Sequence, residues 1–378
     1  MTKSGKFFSV LAAATLVAAA VSPSFAADPV KIGVAGAHSG DLASYGLPTL
    51  KGAQLVVKDV NAKGGIKGAP VELVLVDEQC KPEAAANVAT KLVSDGVKAV
   101  LGHICSGPTK AALPIYRDAK IVSVSPSATT PELTQSGEYK YFFRTIASDD
   151  RQARTMADFV LGKLGAKKIA ILHDKGDYGL GLANYAKQFI EESKQAEVVL
   201  FEGITVGQVD FSAVIQKIKR TGADVVILGG YHPAAPKLVS QMRKERMNTT
   251  FVSDDGVKDE AFIKVAGKDA EGVYATGPTD TSKNPLTIEY REKFKKSEGA
   301  EPGSFFDNGV AAALAIVNAL EKAPSFSADD VAATMRSEKV ESPFGPISFD
   351  EHGDPVGIGF NMFVVKDGQY ITAEYAAP

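Results

Sequence analysis

No run of lysine or arginine marks this chain, and its formal charge is only −3. Nucleic acid is therefore not an expected partner. Histidines stand at positions 38, 103, 173, 232 and 352 without any metal-ligand spacing. No G-x-S-x-G elbow and no P-loop occurs. Gly176, Gly179 and Gly181 run in the wrong order for a dinucleotide fingerprint. The sequence thus offers no positive sign of catalysis, and neither a cofactor nor a metal is expected. A nucleophile–base pair for a secreted hydrolase cannot be assembled from it.

Long apolar runs are equally scarce. The one present, Phe7 to Val21, follows Lys3 and Lys6 and precedes Ser24-Phe25-Ala26, a small-x-small cleavage site. That is the layout of a secretory signal peptide over residues 1–26. A membrane anchor is the alternative, and it would need about 20 apolar residues. No cysteine follows the cleavage site to carry a lipid, and no later stretch could span a membrane. Cleavage removes two lysines and takes the charge from −3 to −5. The two cysteines are Cys80 and Cys105. In an exported chain the pair is most simply a disulfide, with two buried thiols as the alternative. Closing a loop of about 25 residues contributes ~3.5 kcal/mol in the chain-entropy account.

What the chain does have is a repeated rhythm. Val30–Ala35 and Val71–Val76 read as strands, and Leu50–Asn61 and Glu83–Ser94 as helices. Short buried strands follow at Ala99–Leu101 and Ile121–Val124, on either side of the segment Thr109–Arg117. The alternation restarts with a helix over Arg151–Leu164 and strands at Lys168–His173, Val198–Phe201 and Asp224–Leu228. Strands alternating with helices predict parallel sheets, and two such runs predict two α/β lobes. The last hundred residues are too few for a third domain. They read as the chain returning to lobe one and then crossing once more.

Two hydroxyl-rich stretches end successive strands: Cys105-Ser106-Gly107-Pro108-Thr109 and Ser125-Pro126-Ser127-Ala128-Thr129-Thr130. Open α/β sheets bind ligands at the carboxyl ends of their strands. Exposed N–H groups and hydroxyls at a helix start favour a carboxylate. Ser106 and Thr129 are candidate donors, although Ser106 as a plain helix cap is the competing reading. An ammonium needs an acid, and Asp254-Asp255-Gly256 follows the strand-like Thr250–Ser253. Tyr231 and Tyr45 could cover a ligand or could be ordinary loop tyrosines. Together these residues suit a small zwitterion, most simply an amino acid.

Further stretches carry a family likeness. They include Ile32–Gly40 with Tyr45-Gly46, and Asn61-Ala62-Lys63-Gly64-Gly65-Ile66-Lys67-Gly68. Gly102-His103-Ile104-Cys105-Ser106 and Pro126-Ser127-Ala128-Thr129-Thr130-Pro131-Glu132-Leu133 follow. His173-Asp174-Lys175 with Tyr178-Gly179, and Gly229-Gly230-Tyr231-His232-Pro233, complete the set. In this ordered series the chain resembles the periplasmic leucine/isoleucine/valine-binding proteins of ABC transporters, across essentially the whole mature sequence.

The resemblance implies a type I periplasmic binding fold, two Rossmann-like lobes joined by three hinge crossovers near Ala147, Gly277 and Val356. Lobe one would comprise 27–147 and 278–356, and lobe two 148–277 and 357–378. It implies a Cys80–Cys105 disulfide. Ser106 and Thr129 would be the main polar contacts of lobe one, and the Ser127 position would offer its backbone carbonyl. Tyr178 and Tyr231 would clamp from lobe two, and Asp255 would meet the ammonium. The leucine-binding relatives carry glutamate at that position, one methylene longer. Tyr45, Ile104, Cys105 and Phe305 would form the side-chain pocket, with plain core packing as the other reading of Phe305. The implied function is that of a monomeric periplasmic solute-binding protein that delivers its amino acid to an inner-membrane ABC permease. A sensory receptor of the same fold for an amide or another small molecule is the alternative.

Overall fold

The computed structural model describes residues 1–2 and 27–374; the stretch 1–26, expected to be a signal peptide, lies almost wholly outside them. The first run comprises β1 (Val30–Gly36), α1 (Ala43–Ala62), β2 (Val71–Asp77), α2 (Pro82–Ser94) and β3 (Ala99–Leu101). It continues with α3 (Ser106–Ala119), β4 (Val122–Ser125), α4 (Glu132–Gln135) and β5 (Phe142–Arg144). These strands form one sheet in the order β2-β1-β3-β4-β5, every pair parallel.

The second run is α5 (Asp149–Asp158), β6 (Lys168–His173), α6 (Asp177–Ser193), β7 (Glu197–Gly203) and α7 (Ser212–Thr221). It goes on through β8 (Val225–Gly229), α8 (Ala235–Lys244), β9 (Thr250–Ser253), α9 (Glu260–Ala266) and β10 (Tyr274–Pro278). The chain then returns to the first sheet with α10 (Pro285–Glu298), α11 (Phe306–Lys322) and α12 (Ala328–Ser337). A small hairpin, β11 (Val340–Ser342) and β12 (Gly345–Ile347), precedes β13 (Phe360–Lys366) and β14 (Gln369–Thr372). The second sheet has the order β14-β13-β10-β9-β8-β6-β7, with β13 and β14 antiparallel and the others parallel.

Both sheets are covered on both faces, as parallel sheets require. Alternate residues of one strand therefore enter different cores. Ile32 and Val34 pack under α1 and α11, whereas Ala35 packs on the α2 and α3 side. Ile169 and Ile171 face α5 and α6, whereas Ala170 and Leu172 face α7 and α8. Central strands that are apolar on both sides, such as β3 and β8, read as short continuous runs.

Among the boundaries that differ from the sequence expectation, those of α1 and α3 bear on the site. Helix α1 begins at Ala43, ahead of the Leu50 start, and accommodates Pro48 inside it. Tyr45 is therefore helical. Helix α3 begins at Ser106 with Cys105 as its cap residue, in extended conformation and without a side-chain cap bond. Ser106 is thus the first helical residue and not the cap. The two cysteines form a disulfide, with Cα atoms 5.6 Å apart, tying the loop before α2 to the start of α3.

Arg144, at the end of β5, is fully buried. Its Nε donates to Asp354 (2.6 Å), and its other nitrogens donate to the Ala128 and Thr130 carbonyls and to Thr134 Oγ1. One guanidinium thus fixes the 128–130 segment against the last stretch before β13. Replacing it with Met strands a buried Asp354 carboxylate, so Arg144→Met is expected to lower stability by about 3–5 kcal/mol. Urea unfolding of ligand-free protein measures this, and a loss under about 1 kcal/mol would contradict it.

Candidate functional site

The carboxyl ends of both parallel sheets converge on one cavity. Ile104, Cys105 and Ser106 reach it from the β3–α3 turn, Ser127 from the segment after β4, and Tyr45 from α1. Tyr178 comes from the first turn of α6, Tyr231 from the loop after β8, and Asp255 and Gly256 from the loop after β9. Phe305 closes the wall from the cap of α11, in the left-handed region at φ 61°. Nine of the ten site residues expected from the sequence are therefore gathered here. The tenth, Thr129, is fully buried beside the cavity without lining it.

On the first lobe the hydroxyls are already committed in a definite sense. Ser106 Oγ accepts from the Thr129 and Thr130 N–H groups at 3.3 and 3.4 Å. Its own hydrogen is left to donate. Ser127 donates its hydroxyl to the Ile104 carbonyl (2.7 Å), so toward the cavity it can only accept, through that oxygen or its backbone carbonyl.

On the second lobe a glycine contact brings the tyrosines together. A Cβ on Gly179 would stand 2.4 Å from the Gly229 carbonyl oxygen, and one on Gly229 2.3 Å from that of Gly179. Only glycine at both positions lets α6 start against the end of β8. The Tyr178 and Tyr231 rings then lie 5.2 Å apart, and Tyr231 is 6.1 Å from Tyr45. Phe305 meets Tyr45 edge-on at 5.6 Å.

Tyr45 also joins the two lobes. Its hydroxyl donates to the Gly256 carbonyl and lies 2.6 Å from His232 Nδ1. A phenol has one hydrogen, so the His232 Nδ1–H and backbone N–H (3.3 Å) donate to the Tyr45 oxygen. At the rim, Lys110 of α3 pairs with Asp177 of α6 at 3.2 Å. The structure is a closed arrangement of the cleft.

Beneath the tyrosines lies a group of buried acids. Burial raises Asp255, an effect opposed by hydrogen bonds from Tyr178 and Gln152. Asp254 is held well above the usual carboxylate range by burial and by Asp255, although the Gly230 N–H donates to it at 2.7 Å. Asp149, the first residue of α5, is pushed up to about 8 by burial. The neighbouring Thr129 hydroxyl offsets this in part, and Asp255 adds to it. Oδ2 of Asp255 is buried and without a hydrogen-bond partner. Donor hydroxyl, unpartnered carboxylate oxygen and apolar walls thus line one cavity.

Gln152 and Asp149 were not among the residues picked out from the sequence. Both stand at the start of an otherwise polar helix, where a solvated face is the ordinary reading. Nothing local announces that this face is covered by β10 and the loop after β9.

A sequence profile described as periplasmic binding protein matches residues 29–369. The leucine-, isoleucine-, valine-, threonine- and alanine-binding protein of Pseudomonas aeruginosa is 37% identical over 96% of this chain and 97% of its own length. The Leu/Ile/Val-binding protein of Escherichia coli is 37% identical over 92% of this chain and 94% of its own. Among solved structures, the branched-chain amino acid transporter substrate-binding protein of Streptococcus pneumoniae, in complex with isoleucine, superposes with a TM-score of 0.82. It is 29% identical and covers 92% of this chain and 100% of its own. A leucine-binding protein from Thermotoga maritima gives a TM-score of 0.84 at 26% identity, covering 91% of this chain and 98% of its own.

Asp149 has a folded pKa near 8 and an unfolded value near that of a free carboxylate, about 3.9. The folded state therefore binds its proton more tightly. Its contribution is intact below about pH 4 and is lost as pH rises through 8. Asp149→Asn removes that dependence. Urea titrations of ligand-free protein at pH 5 and pH 8.5 are expected to show the variant gaining on wild type as pH rises; a constant difference would contradict the assignment.

Proposed function

The chain belongs to the periplasmic binding protein family, and we propose that it is the solute-binding component of an amino-acid ABC transport system. It captures leucine, isoleucine, valine or a similar small amino acid in the interlobe cleft. The observation that carries this reading is the pairing of a donor-only Ser106 hydroxyl on one lobe with an unpartnered Asp255 oxygen on the other. A ligand with a carboxylate at one end and an ammonium at the other satisfies both, and burying either charge unpaired would be prohibitive.

In this reading Ser106 donates to the α-carboxylate at the start of α3, where the helix terminus adds its own preference for negative charge. The Ser127 carbonyl completes the polar end from lobe one, with Thr129 supporting it from behind the cavity wall. Asp255 receives the ammonium, with Tyr178 and Tyr231 closing over it. Tyr45, Ile104, Cys105 and Phe305 enclose the side chain, and their apolar faces suit a branched aliphatic group. None of these four side chains is an acid or a base that would select a charged one.

We take lobe one as 27–147 with 278–356, and lobe two as 148–277 with 357–378. The three connections between them act as the hinge on which the lobes close. With residues 1–26 as a cleaved signal peptide, the protein works in the periplasm as a monomer and presents its closed form to an inner-membrane permease. It has no catalytic role in this account.

The test is a thermal-melt screen of ligand-stripped protein against the common amino acids and γ-aminobutyrate. A ligand at about a thousand times its Kd adds ~4 kcal/mol, a shift of several degrees. The largest shifts are expected with leucine, isoleucine and valine. No shift with any amino acid would overturn the function. Ser106→Ala is expected to weaken leucine binding by about 1.5–3 kcal/mol, the range for hydrogen bonds to charged groups. Asp255→Asn is expected to cost about 2–4 kcal/mol, by leaving the ammonium poorly paired. Calorimetric titration reads both, and wild-type affinity in either variant would remove that residue from the site.

A further inference from the structure

Asp255 is a short carboxylate on a loop, and its usefulness depends on which way its oxygens point. We infer that Gln152 is a positioning residue for ligand recognition, orienting the Asp255 carboxylate so that one oxygen is held by the protein and the other is kept for the ligand. The inference rests on the amino-acid-binding function proposed above.

Gln152 is fully buried on α5, in the first turns after the chain enters the second lobe. Its Nε2 donates to Asp255 Oδ1 at 2.8 Å and to Thr276 Oγ1 on β10 at 2.7 Å. Both amide hydrogens are therefore used, and Thr276 is fully buried on the sheet. The Tyr178 hydroxyl donates to the same Oδ1. Two donors from two helices thus converge on one oxygen, while Oδ2 is buried and receives none.

A single donor would leave the carboxylate free to turn about its Cβ–Cγ bond. Two donors on one oxygen, one of them anchored to the sheet, remove that freedom. The amide orientation follows from charge, because the flipped form would set Gln152 Oε1 against the carboxylate.

The chemistry also requires a neutral donor. Asp255 already has Asp254 beside it in sequence, and Asp149 stands close enough to act on it electrostatically. Glutamate at 152 would add a further buried acid. Lysine there would neutralise Asp255 and compete with the ligand ammonium. An amide fixes the acid while leaving its charge available.

The test is a double-mutant cycle read by calorimetric titration with leucine, isoleucine and valine. Gln152→Met keeps length and volume but removes both donors. Its expected effect is leucine binding about 10- to 100-fold weaker, the range for one hydrogen bond to a charged group. In an Asp255→Asn background no carboxylate remains to be positioned, and the same change is expected to cost less than about threefold. Thr276→Val frees one end of the Gln152 amide without touching Asp255. It is expected to weaken leucine several-fold in the wild-type background only, and it carries the test if Gln152→Met does not fold. Equal losses in both backgrounds would mark a merely structural glutamine and overturn the inference, as would unchanged affinity in Gln152→Met and Thr276→Val. Wild-type protein that binds none of the three amino acids would overturn the underlying function instead.

Discussion

The rest of the site depends on one buried oxygen. Oδ2 of Asp255 lies between two lobes, out of water and without a donor. A carboxylate left that way resists ionisation, and burial does push Asp255 upward. A cation delivered to it restores what desolvation took away. The Asp255 carboxylate is therefore one cation short of full pairing, and the proposed ligand's ammonium supplies that charge. The same logic accounts for the opposite wall, where Ser106 has its lone pairs occupied by two backbone N–H groups and its hydrogen uncommitted.

Closure matters because the two halves of this arrangement sit on different lobes. Tyr45 from α1 reaches the Gly256 carbonyl and His232 in the second lobe, and Lys110 meets Asp177 at the rim. The rim pair is half-exposed and contributes little on its own. The buried Tyr45 contacts exclude water and set the distance between donor and acid. A ligand that spans that distance with its own two charges favours the closed form through its differential affinity for it.

The fold was legible from the periodicity because parallel sheets covered on both faces produce short apolar strands separated by helices. The polar set was legible where strand ends carry unusual residues, as at Ser106, Tyr231 and Asp255. Sequence reasoning was weaker wherever function depends on distant packing. Gln152 looks like one more polar residue on a polar helix, and only the approach of β10 and the loop after β9 makes it a buried donor. Thr129 was expected to be a main polar contact of lobe one, but it stands behind the cavity wall beside Asp149. Tyr45 was seen as a ligand cover, whereas its contact across the cleft joins residues 187 and 211 positions apart. The start of α1 was placed late, at Leu50, whereas the helix begins at Ala43 and holds Pro48 within it.

The most direct measurement is a crystal structure of the protein co-crystallised with leucine. The account predicts the leucine ammonium about 3 Å from Asp255 Oδ2, its carboxylate against Ser106 Oγ, and the isobutyl group between Tyr45, Ile104 and Phe305. Leucine bound in the reverse sense, or bound outside the cleft while Asp255 Oδ2 stays unpaired, would contradict it.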